Sequence, residues 1–308
     1  MSEATLSRPA AVPQTSASTR SSWFGNPWGK PRFLKVVTWG YIVWSLTPVL
    51  IAIAFSFNAG RSRSTWQGFS MRWWYQDPFD SLWTNPALRQ AMFQTFRLSI
   101  LTVLVAVPLG TAFAIGIDRW RGRPANSSNF LMLFSFVMPE IILGVSLLLL
   151  FTSLLENFVN LGTTAQVLGL VTFQLSYPVI IVRARLLSIG PEFEEAAMDL
   201  GATPTQALRK VLLPMLGPAI LASVALVFAD SVDNFVTVRY LSAQAPTEPL
   251  SVKIYSAARS SPTPAVNAAA TVMLIATLSA IAIAWVFYKR VSGNRGEDAG
   301  ASVTFGEL

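Results

Sequence analysis

Six long apolar runs divide this chain and restrict, more than any other feature, the folds that it can adopt. The hydrocarbon core of a bilayer is about 30 Å thick, and a helix needs about 20 apolar residues to cross it. The runs cover residues 33–57, 91–117, 130–155, 163–182, 211–235 and 265–288. They predict an all-α polytopic membrane protein with six transmembrane helices.

The composition agrees with a membrane protein and excludes several functions. Only 13% of the 308 residues are charged and 52% are hydrophobic, whereas soluble domains carry about 25% charged residues. The chain has no cysteine and no histidine, which excludes thiol chemistry and removes the commonest metal ligand and general base. We therefore predict no catalytic residue and no metal site, and we expect no cofactor bound by this chain. The net charge of +7 is scattered between the apolar runs, so we do not expect nucleic-acid binding.

The polar segments predict the domain organisation and the orientation in the membrane. Residues 1–30 are rich in Ser, Thr, Ala and Pro and predict a disordered tail. Residues 31–290 are expected to form the six-helix domain, and residues 291–308 a second tail. Six spans leave both termini on one side, where the segments hold roughly twice as many lysines and arginines as the loops opposite. Since basic loops stay inside, we predict that both termini are cytoplasmic.

The segment between the fourth and fifth spans is charged and helix-forming. It reads EEAAMDLGATPTQALRKVLLPMLGP from Glu194 to Pro218, and its charges place it outside the bilayer. Gly201 permits a turn where a side chain would obstruct a close approach of the backbone. Thr203 is the expected cap of a second short helix, and Pro204 is its expected first residue.

The spacing in this segment resembles the EAA loop of the membrane subunits of ABC importers. That loop reads EAA, three residues, G, nine residues and I-x-L-P, and here Val211 replaces the isoleucine. The resemblance implies a type I ABC importer permease fold, in which the loop forms a cytoplasmic coupling helix that docks on a separate ATPase. It also implies that ATP and Mg²⁺ bind that partner, since no G-x-x-x-x-G-K-[ST] motif occurs in this chain. The implied coupling residues are Glu194, Glu195, Ala196, Ala197, Asp199, Gly201, Leu213 and Pro214. The alternative is an ordinary cytoplasmic loop with an amphipathic helix.

Three acids within the apolar runs need an explanation. Glu140 follows Pro139 near the middle of the third span, and Asp230 and Asp233 lie near the end of the fifth. An acid at bilayer depth costs at least about 2.5 kcal/mol and normally faces a cavity or a partner. Pro139 removes a helical hydrogen bond, which is expected to open the helix beside Glu140. Because residues i and i+3 share a helix face, we predict an acidic passage that suits an elongated organic cation and repels anions.

Each acid also has a structural interpretation. If the fifth helix ends early, Asp230 and Asp233 are solvated at the outer interface. Glu140 alternatively pairs with an arginine such as Arg97 on a neighbouring helix. Asn234, in turn, alternatively satisfies the outer carbonyl groups and carries no selectivity.

The loop between the first and second spans is unusually aromatic. Its aromatic residues include Trp66, Trp73, Trp74, Tyr75 and Trp83. Such rings hold an ammonium group by cation–π contacts, worth about 0.5–2 kcal/mol each. More often they form an interfacial belt or a docking surface for a partner protein, and we favour that interpretation.

Five further segments carry a second resemblance. They are SFN from Ser56, WQGFS from Trp66, VMPEIILGVSLLLLF from Val137, SVDNF from Ser231 and PLSVKIYS from Pro249. These segments resemble the spermidine/putrescine importer permeases, and among them the second of the two membrane subunits.

The resemblance also implies which residues line the substrate pathway. In that family an acid follows the proline of the third span, and a pair of aspartates ends the fifth. Glu140 and Asp233 match these acids, whereas the second aspartate is Asn234 here. We expect the pathway to include these three residues together with Asp230 and Tyr177.

The resemblance implies an assembly in a bacterial inner membrane. The chain would pair with a second permease, two ATPase subunits and an extracytoplasmic solute-binding protein, carry a small polyamine cation and be surrounded by membrane lipid. Three alternatives remain. They are an ABC importer for an anion or iron, a secondary transporter that uses the acids as proton relays, and a non-transporting scaffold or receptor.

Overall fold

The computed structural model describes residues 32–62, 64–119, 127, 130, 137–243, 245–260 and 263–293. The predicted N-terminal tail lies outside the described residues, as does the C-terminal tail beyond Gly293. The chain divides into two compact units, Met1–Leu50 and Ile51–Leu308. The described part of the first unit, residues 32–50, belongs to an apolar helix that contains Pro48 and ends at Phe55.

Helices make up most of the regular structure of the described residues. In chain order they are α1 Arg32–Phe55, α2 Pro86–Arg119, α3 Glu140–Leu149, α4 Thr163–Gln174, α5 Ser176–Ile189, α6 Glu192–Asp199, α7 Pro204–Ala207, α8 Leu213–Asp233, α9 Val236–Leu241, α10 Leu250–Arg259 and α11 Pro264–Gly293. Single π-helical turns occur at Arg72–Gln76, Leu150–Leu154 and Leu208–Leu212, and a 3₁₀ turn at Ala245–Thr247. The β pairing seen among the described residues is one isolated bridge, between Asn58 and Phe69.

Five helical segments in the described part of the chain are long and apolar enough to cross a membrane. They are Phe33–Phe55, Pro86–Arg119, Thr163–Ile189, Pro204–Asp233 and Pro264–Arg290. Five of the six predicted spans are therefore confirmed. The third is represented by a shorter apolar helix, Glu140–Leu154. Most of the first part of that predicted span lies outside the described residues.

Three predicted helix boundaries were wrong by a turn or more, including the end of the sixth span, where α11 continues from the predicted residue 288 to Gly293. α2 begins at Pro86 rather than at residue 91, because a proline is well suited to the first turn and Leu88 already packs in the core. The fourth span continues past residue 182 to Ile189. Leu186 and Ile189 are buried on one face, so the helix continues even though two arginines interrupt the apolar run.

α2 is the central helix of the second unit and packs against α5 and α8. Its buried residues include Ala106, Val107 and Ala114, and small residues allow helices in a membrane to approach closely. Below, the proximal end of the bundle is the end at which α2 finishes, at Arg119. The distal end is the end at which α2 begins, at Pro86.

The segment between the fifth and sixth apolar runs, which the hydropathy pattern alone presents as a polar loop, is largely helical. It contains α9, the 3₁₀ turn and α10. α9 packs closely on Gly169 of α4, where an added Cβ would lie 2.5 Å from Leu241 Cδ1 and 2.9 Å from Thr237 Cγ2. A six-residue helix is too short to show a clear periodicity, so only its contacts with α3 and α4 reveal it.

A buried polar network joins α2, α4 and the segment after α9 at the distal end. Gln94 Nε2 donates to Gln166 Oε1 and to Thr163 Oγ1, both at 2.9 Å. Gln166 Nε2 donates to Ser242 Oγ at 2.8 Å and to the Thr247 carbonyl oxygen at 2.9 Å. Because buried amides need partners, this network fixes the position of the segment that follows α9.

Candidate functional site

α3 begins at Glu140 because Pro139 interrupts the helix. Met138 and Pro139 are not helical, and Pro139 has φ −58° and ψ 127°. This confirms the predicted opening beside Glu140. The acid is therefore the first residue of a helix rather than a residue within a continuous span.

Glu140 contacts the break between α8 and α9. Its Oε1 accepts hydrogen bonds from Asn234 Nδ2 at 2.6 Å and from Thr237 Oγ1 at 3.0 Å. The alternative pairing with Arg97 is not found among the ion pairs of the described residues. The partners of Glu140 are thus neutral donors.

Asp230 lies on α8 and is half-buried. Its Oδ2 accepts from Gln174 Nε2 at 2.8 Å, and its Oδ1 accepts from the Tyr177 hydroxyl at 3.4 Å. Ser231 Oγ donates to Gln174 Oε1 at 2.8 Å. α8 extends to Asp233, so the alternative in which this helix ends early and leaves Asp230 solvated is wrong.

Asp233 and Asn234 occupy different environments. Asp233 is exposed and makes no hydrogen bond or ion pair with the described residues. Asn234 is 8% exposed, ends α8, and accepts a hydrogen bond from Ser251 Oγ at its backbone oxygen. The structure therefore brings Glu140 to Asn234 and Asp230 to Tyr177, whereas Asp233 forms no hydrogen bond with a member of either pair.

These acids lie at the ends of their helices: Glu140 begins the apolar helix Glu140–Leu154, and Asp230 and Asp233 lie in the last turn of the Pro204–Asp233 span. Gln174 and Tyr177, the partners of Asp230, are central in the Thr163–Ile189 span. Glu140 and Asp233 are close enough to Asp230 for their charges to interact. The three acids therefore make this part of the described chain acidic.

Gln174 is a site residue that sequence reasoning missed. It is fully buried and links Asp230 to Ser231. The available signal was a glutamine inside an apolar run, three residues before Tyr177. Amides of this kind are also found in purely structural roles, so only the contact with Asp230 assigns Gln174 to the site.

The predicted coupling segment forms an exposed helix, α6. None of the α6 residues is buried, and Phe193, Met198 and Leu200 expose apolar side chains, Leu200 to 90%. Glu194 forms an ion pair with Arg119 at the end of α2. The remaining predicted coupling residues of α6, Glu195, Ala196, Ala197 and Asp199, follow on the same short helix.

The turn after α6 has the predicted local structure with one difference. Gly201 has φ +89°, a conformation that other residues adopt only with strain. An added Cβ there meets no atom of the described residues within 4 Å, so backbone conformation, not crowding within this chain, is the reason for glycine. Thr203 caps α7 and Pro204 begins it, as predicted. Leu213 and Pro214, both half-buried, open α8.

The aromatic loop before α2 is folded around one buried ring. Trp73 is fully buried and its Nε1 donates to the Asn58 backbone oxygen at 2.7 Å. Trp74 is half-buried and stacks on Phe57. The exposed members of the predicted set are Trp66, Tyr75 and Trp83.

Asp77 holds the end of this loop and lies outside the membrane-spanning segments. Its Oδ1 accepts from the backbone N–H groups of Asp80, at 2.9 Å, and Phe79, at 3.0 Å, and its Oδ2 accepts from Arg72 Nε at 2.9 Å. These backbone hydrogen bonds, aided by the Arg72 guanidinium, lower the pKa of Asp77 to about 2. The carboxylate is therefore charged at any physiological pH.

Taken together, the apolar helices, the acids within them and the exposed helix between two spans define a membrane-spanning transport subunit. The chain belongs to the family described as "Binding-protein-dependent transport system inner membrane component", whose model matches residues 106–294. It is a permease subunit of an ABC importer.

Two curated relatives illustrate the similarity. The putrescine transport system permease protein PotI of Escherichia coli (strain K12) is 32% identical over 255 residues, which are 82% of this chain and 89% of the relative. The spermidine/putrescine transport system permease protein PotC of the same strain is 34% identical over 254 residues, which are 81% of this chain and 92% of the relative.

A solved structure agrees with the fold. A chain of a bacterial alginate ABC transporter, crystallised with a periplasmic protein that holds an alginate pentasaccharide, superposes with a TM-score of 0.66. The match covers 84% of this chain and 94% of that one at 17% identity. This likeness concerns the fold alone.

Proposed function

We propose that this chain conducts polyamine cations through the membrane as one of two permeases of an ABC importer. The observation that carries the proposal is that Glu140, at the start of α3, and Asp230, in the last turn of α8, lie close enough for their charges to interact and are each held by neutral donors. The names of the curated relatives, which are putrescine and spermidine/putrescine permeases, support the same substrate class.

The chemistry of the site suits a cation with separated ammonium groups. An ammonium at Glu140 would replace the Asn234 amide, and one at Asp230 would replace the Gln174 amide. An ammonium group adds the attraction between opposite full charges to the hydrogen bond, so it competes well with a neutral amide for a carboxylate. Asp233 and the Tyr177 hydroxyl offer further acceptors, and Asn234 contributes its amide oxygen.

The same proposal assigns the energy source to partner subunits. ATP and Mg²⁺ bind a separate ATPase pair, and no cofactor binds this chain. The ATPase receives α6 through Glu194, Glu195, Ala196, Ala197 and Asp199, with Gly201, Leu213 and Pro214 shaping the connection to α8. An extracytoplasmic solute-binding protein delivers the cation at the distal end.

The proposal extends to the orientation and the domain limits. Residues 31–290 are the transport domain, and the tails at 1–30 and 291–308 are cytoplasmic together with α6. The membrane is the bacterial inner membrane.

The substrate assignment is tested by uptake into proteoliposomes that contain the assembled importer. Glu140→Gln and Asp230→Asn are each expected to lower putrescine or spermidine uptake at least about tenfold, equivalent to about 1.4 kcal/mol. Asp80→Asn, an acid in the loop before α2, is the matched control and should leave uptake unchanged. Unchanged cation uptake in both variants, or uptake of an anion instead, would reject the polyamine assignment. Uptake abolished by a protonophore without any need for ATP would indicate a secondary transporter.

The coupling assignment is tested separately. Glu195→Ala and Gly201→Val should leave expression intact and uncouple substrate uptake from ATP hydrolysis, the second because valine is strained at φ +89°. Full ATP-driven uptake in both variants would contradict this role for α6.

A further inference from the structure

Two arginines at the distal part of α2 share a surface that the transport function does not use. Arg89 and Arg97 line an open depression of about 400 Å³ together with Gln90, Phe93, Gln94 and Pro246. Both arginines are exposed, and neither forms an ion pair with another described residue. The depression therefore carries two uncompensated positive charges.

The position of Arg97 along α2 fixes its depth in the membrane. An uncharged stretch runs from Leu98 to Ile117, with Arg97 before it and Asp118 after it. That stretch has the roughly 20 residues that span a hydrocarbon core of about 30 Å. Arg97 consequently lies at the distal boundary of the hydrocarbon, at the level where lipid phosphates begin.

Below Arg97, the same face of α2 is apolar and exposed. Ile100 is 50% exposed and Leu104 is 63% exposed. Helical side chains lean toward the N-terminus, so the Arg97 side chain extends toward Phe93 and Arg89, away from the membrane centre. The face thus has a cationic part above and an apolar part below.

We propose that this face binds one anionic phospholipid of the distal leaflet, with its phosphate between Arg89 and Arg97 and its acyl chains along Ile100 and Leu104. Guanidinium groups match phosphate oxygens in bidentate geometry, and the two charges complement an anionic head group. The Gln90 amide supplies a further donor. A depression of this volume falls within the range of small-ligand sites, about 300–1,000 Å³.

Native mass spectrometry of the full-length chain tests the binding. Phosphatidylglycerol is compared with phosphatidylcholine of the same acyl chains, because the two differ in net charge and share the phosphate. Retention of phosphatidylglycerol should exceed that of phosphatidylcholine and should fall about fivefold for each of Arg89→Gln and Arg97→Gln. Arg61→Gln removes the same charge from the neighbouring loop and should change the retention of neither phosphatidylglycerol nor phosphatidylcholine.

Three results would overturn the proposal. The first is equal retention of the two lipids by the unmodified chain, and the second is unchanged phosphatidylglycerol retention in the Arg89→Gln/Arg97→Gln double variant. Displacement of the lipid by inorganic phosphate at millimolar concentration would be the third, since it would indicate a site for the free ion. An unchanged melting temperature confirms that a variant is folded before its retention is compared.

Photo-cross-linking in native membranes tests whether lipid reaches the face in the assembled protein. With Phe93→p-benzoylphenylalanine in the full-length chain, the expected product is a lipid adduct. A protein adduct in its place would show that another chain covers the face and would overturn the proposal. Transport activity does not enter either test, so their outcome is independent of the polyamine assignment.

Discussion

Asp230 and Asp233 show how one helical turn decides the surroundings of an acid. The sequence places both residues on α8, three positions apart, and the family pattern singles out Asp233. Yet Asp230 is the residue that meets Gln174 and Tyr177, while Asp233 is exposed at the last position of the helix. The cause is the rotation of α8 relative to α4 and α5, which no residue of α8 encodes alone.

At the residue scale, the lowered pKa of Asp77 predicts that acid destabilises the loop before α2. The Asp77 pKa of about 2 lies below the ordinary value of 3.8, so its stabilising effect is complete above pH 4 and is lost as the pH falls through about 2. Asp77→Asn should remove the charge-assisted hydrogen bonds and raise amide exchange in residues 72–85 at pH 5 by about tenfold. Hydrogen–deuterium exchange measures this.

Asp80→Asn is the control for that experiment because Asp80 gives Asp77 its backbone N–H, which the substitution retains, and the exposed ion pair of Asp80 with Arg61 contributes only about 0–1 kcal/mol. In the unmodified chain, the amides of residues 72–85 should exchange faster at pH 2 than at pH 5, when each rate is divided by the intrinsic exchange rate at that pH. Equal protection of all three proteins at pH 5 would show that Asp77 does not hold the loop.

At the scale of elements, α6 is joined to α2 by the Arg119–Glu194 ion pair. Exposed pairs of this kind contribute only about 0–1 kcal/mol, so the contact matters little for stability. α2, however, packs against α8, the helix that carries Asp230. The pair therefore connects the exposed helix to the central helix of the bundle.

We expect Arg119→Glu to lower the number of cations transported per ATP hydrolysed, without changing the melting temperature by more than about 2 °C. Adding Glu194→Arg in the same chain should restore the ratio, because the pair is re-formed with reversed charges. Arg290→Glu, at the proximal end of α11, is the matched control. A ratio that falls equally in the single and the double variants would mean that the pair itself carries no coupling.

At the scale of the whole molecule, the distal polar network holds together parts of the chain that are far apart in sequence. Gln166 is fully buried and reaches Gln94 on α2, Ser242 after α9 and Thr247 in the 3₁₀ turn. Removing one member leaves the others without partners in a dry environment. An unsatisfied buried group costs about 1–3 kcal/mol.

Gln166→Leu should therefore destabilise the folded chain by at least about 1 kcal/mol and lower its melting temperature by roughly 3 °C or more. Thermal unfolding of the purified protein in detergent measures the change. Gln76→Leu, at an exposed glutamine in the loop before α2, should leave the melting temperature unaltered. Equal melting temperatures for Gln166→Leu and the unmodified chain would show that the network does not contribute to stability.

The sequence by itself determined the helical spans, the interruption at Pro139, the turn at Gly201 and the cap at Thr203. Each of these depends on residues within a few positions of one another, through apolar run length, backbone conformation and local hydrogen bonds. Tertiary structure decided which polar groups meet, because the Gln174–Asp230 and Glu140–Asn234 hydrogen bonds join residues 56 and 94 positions apart. α9 was not predicted from the sequence, and its packing on Gly169 in the structure identifies it. Contacts at such separations follow from how the helices pack and rotate against one another, and a single sequence does not specify those rotations locally.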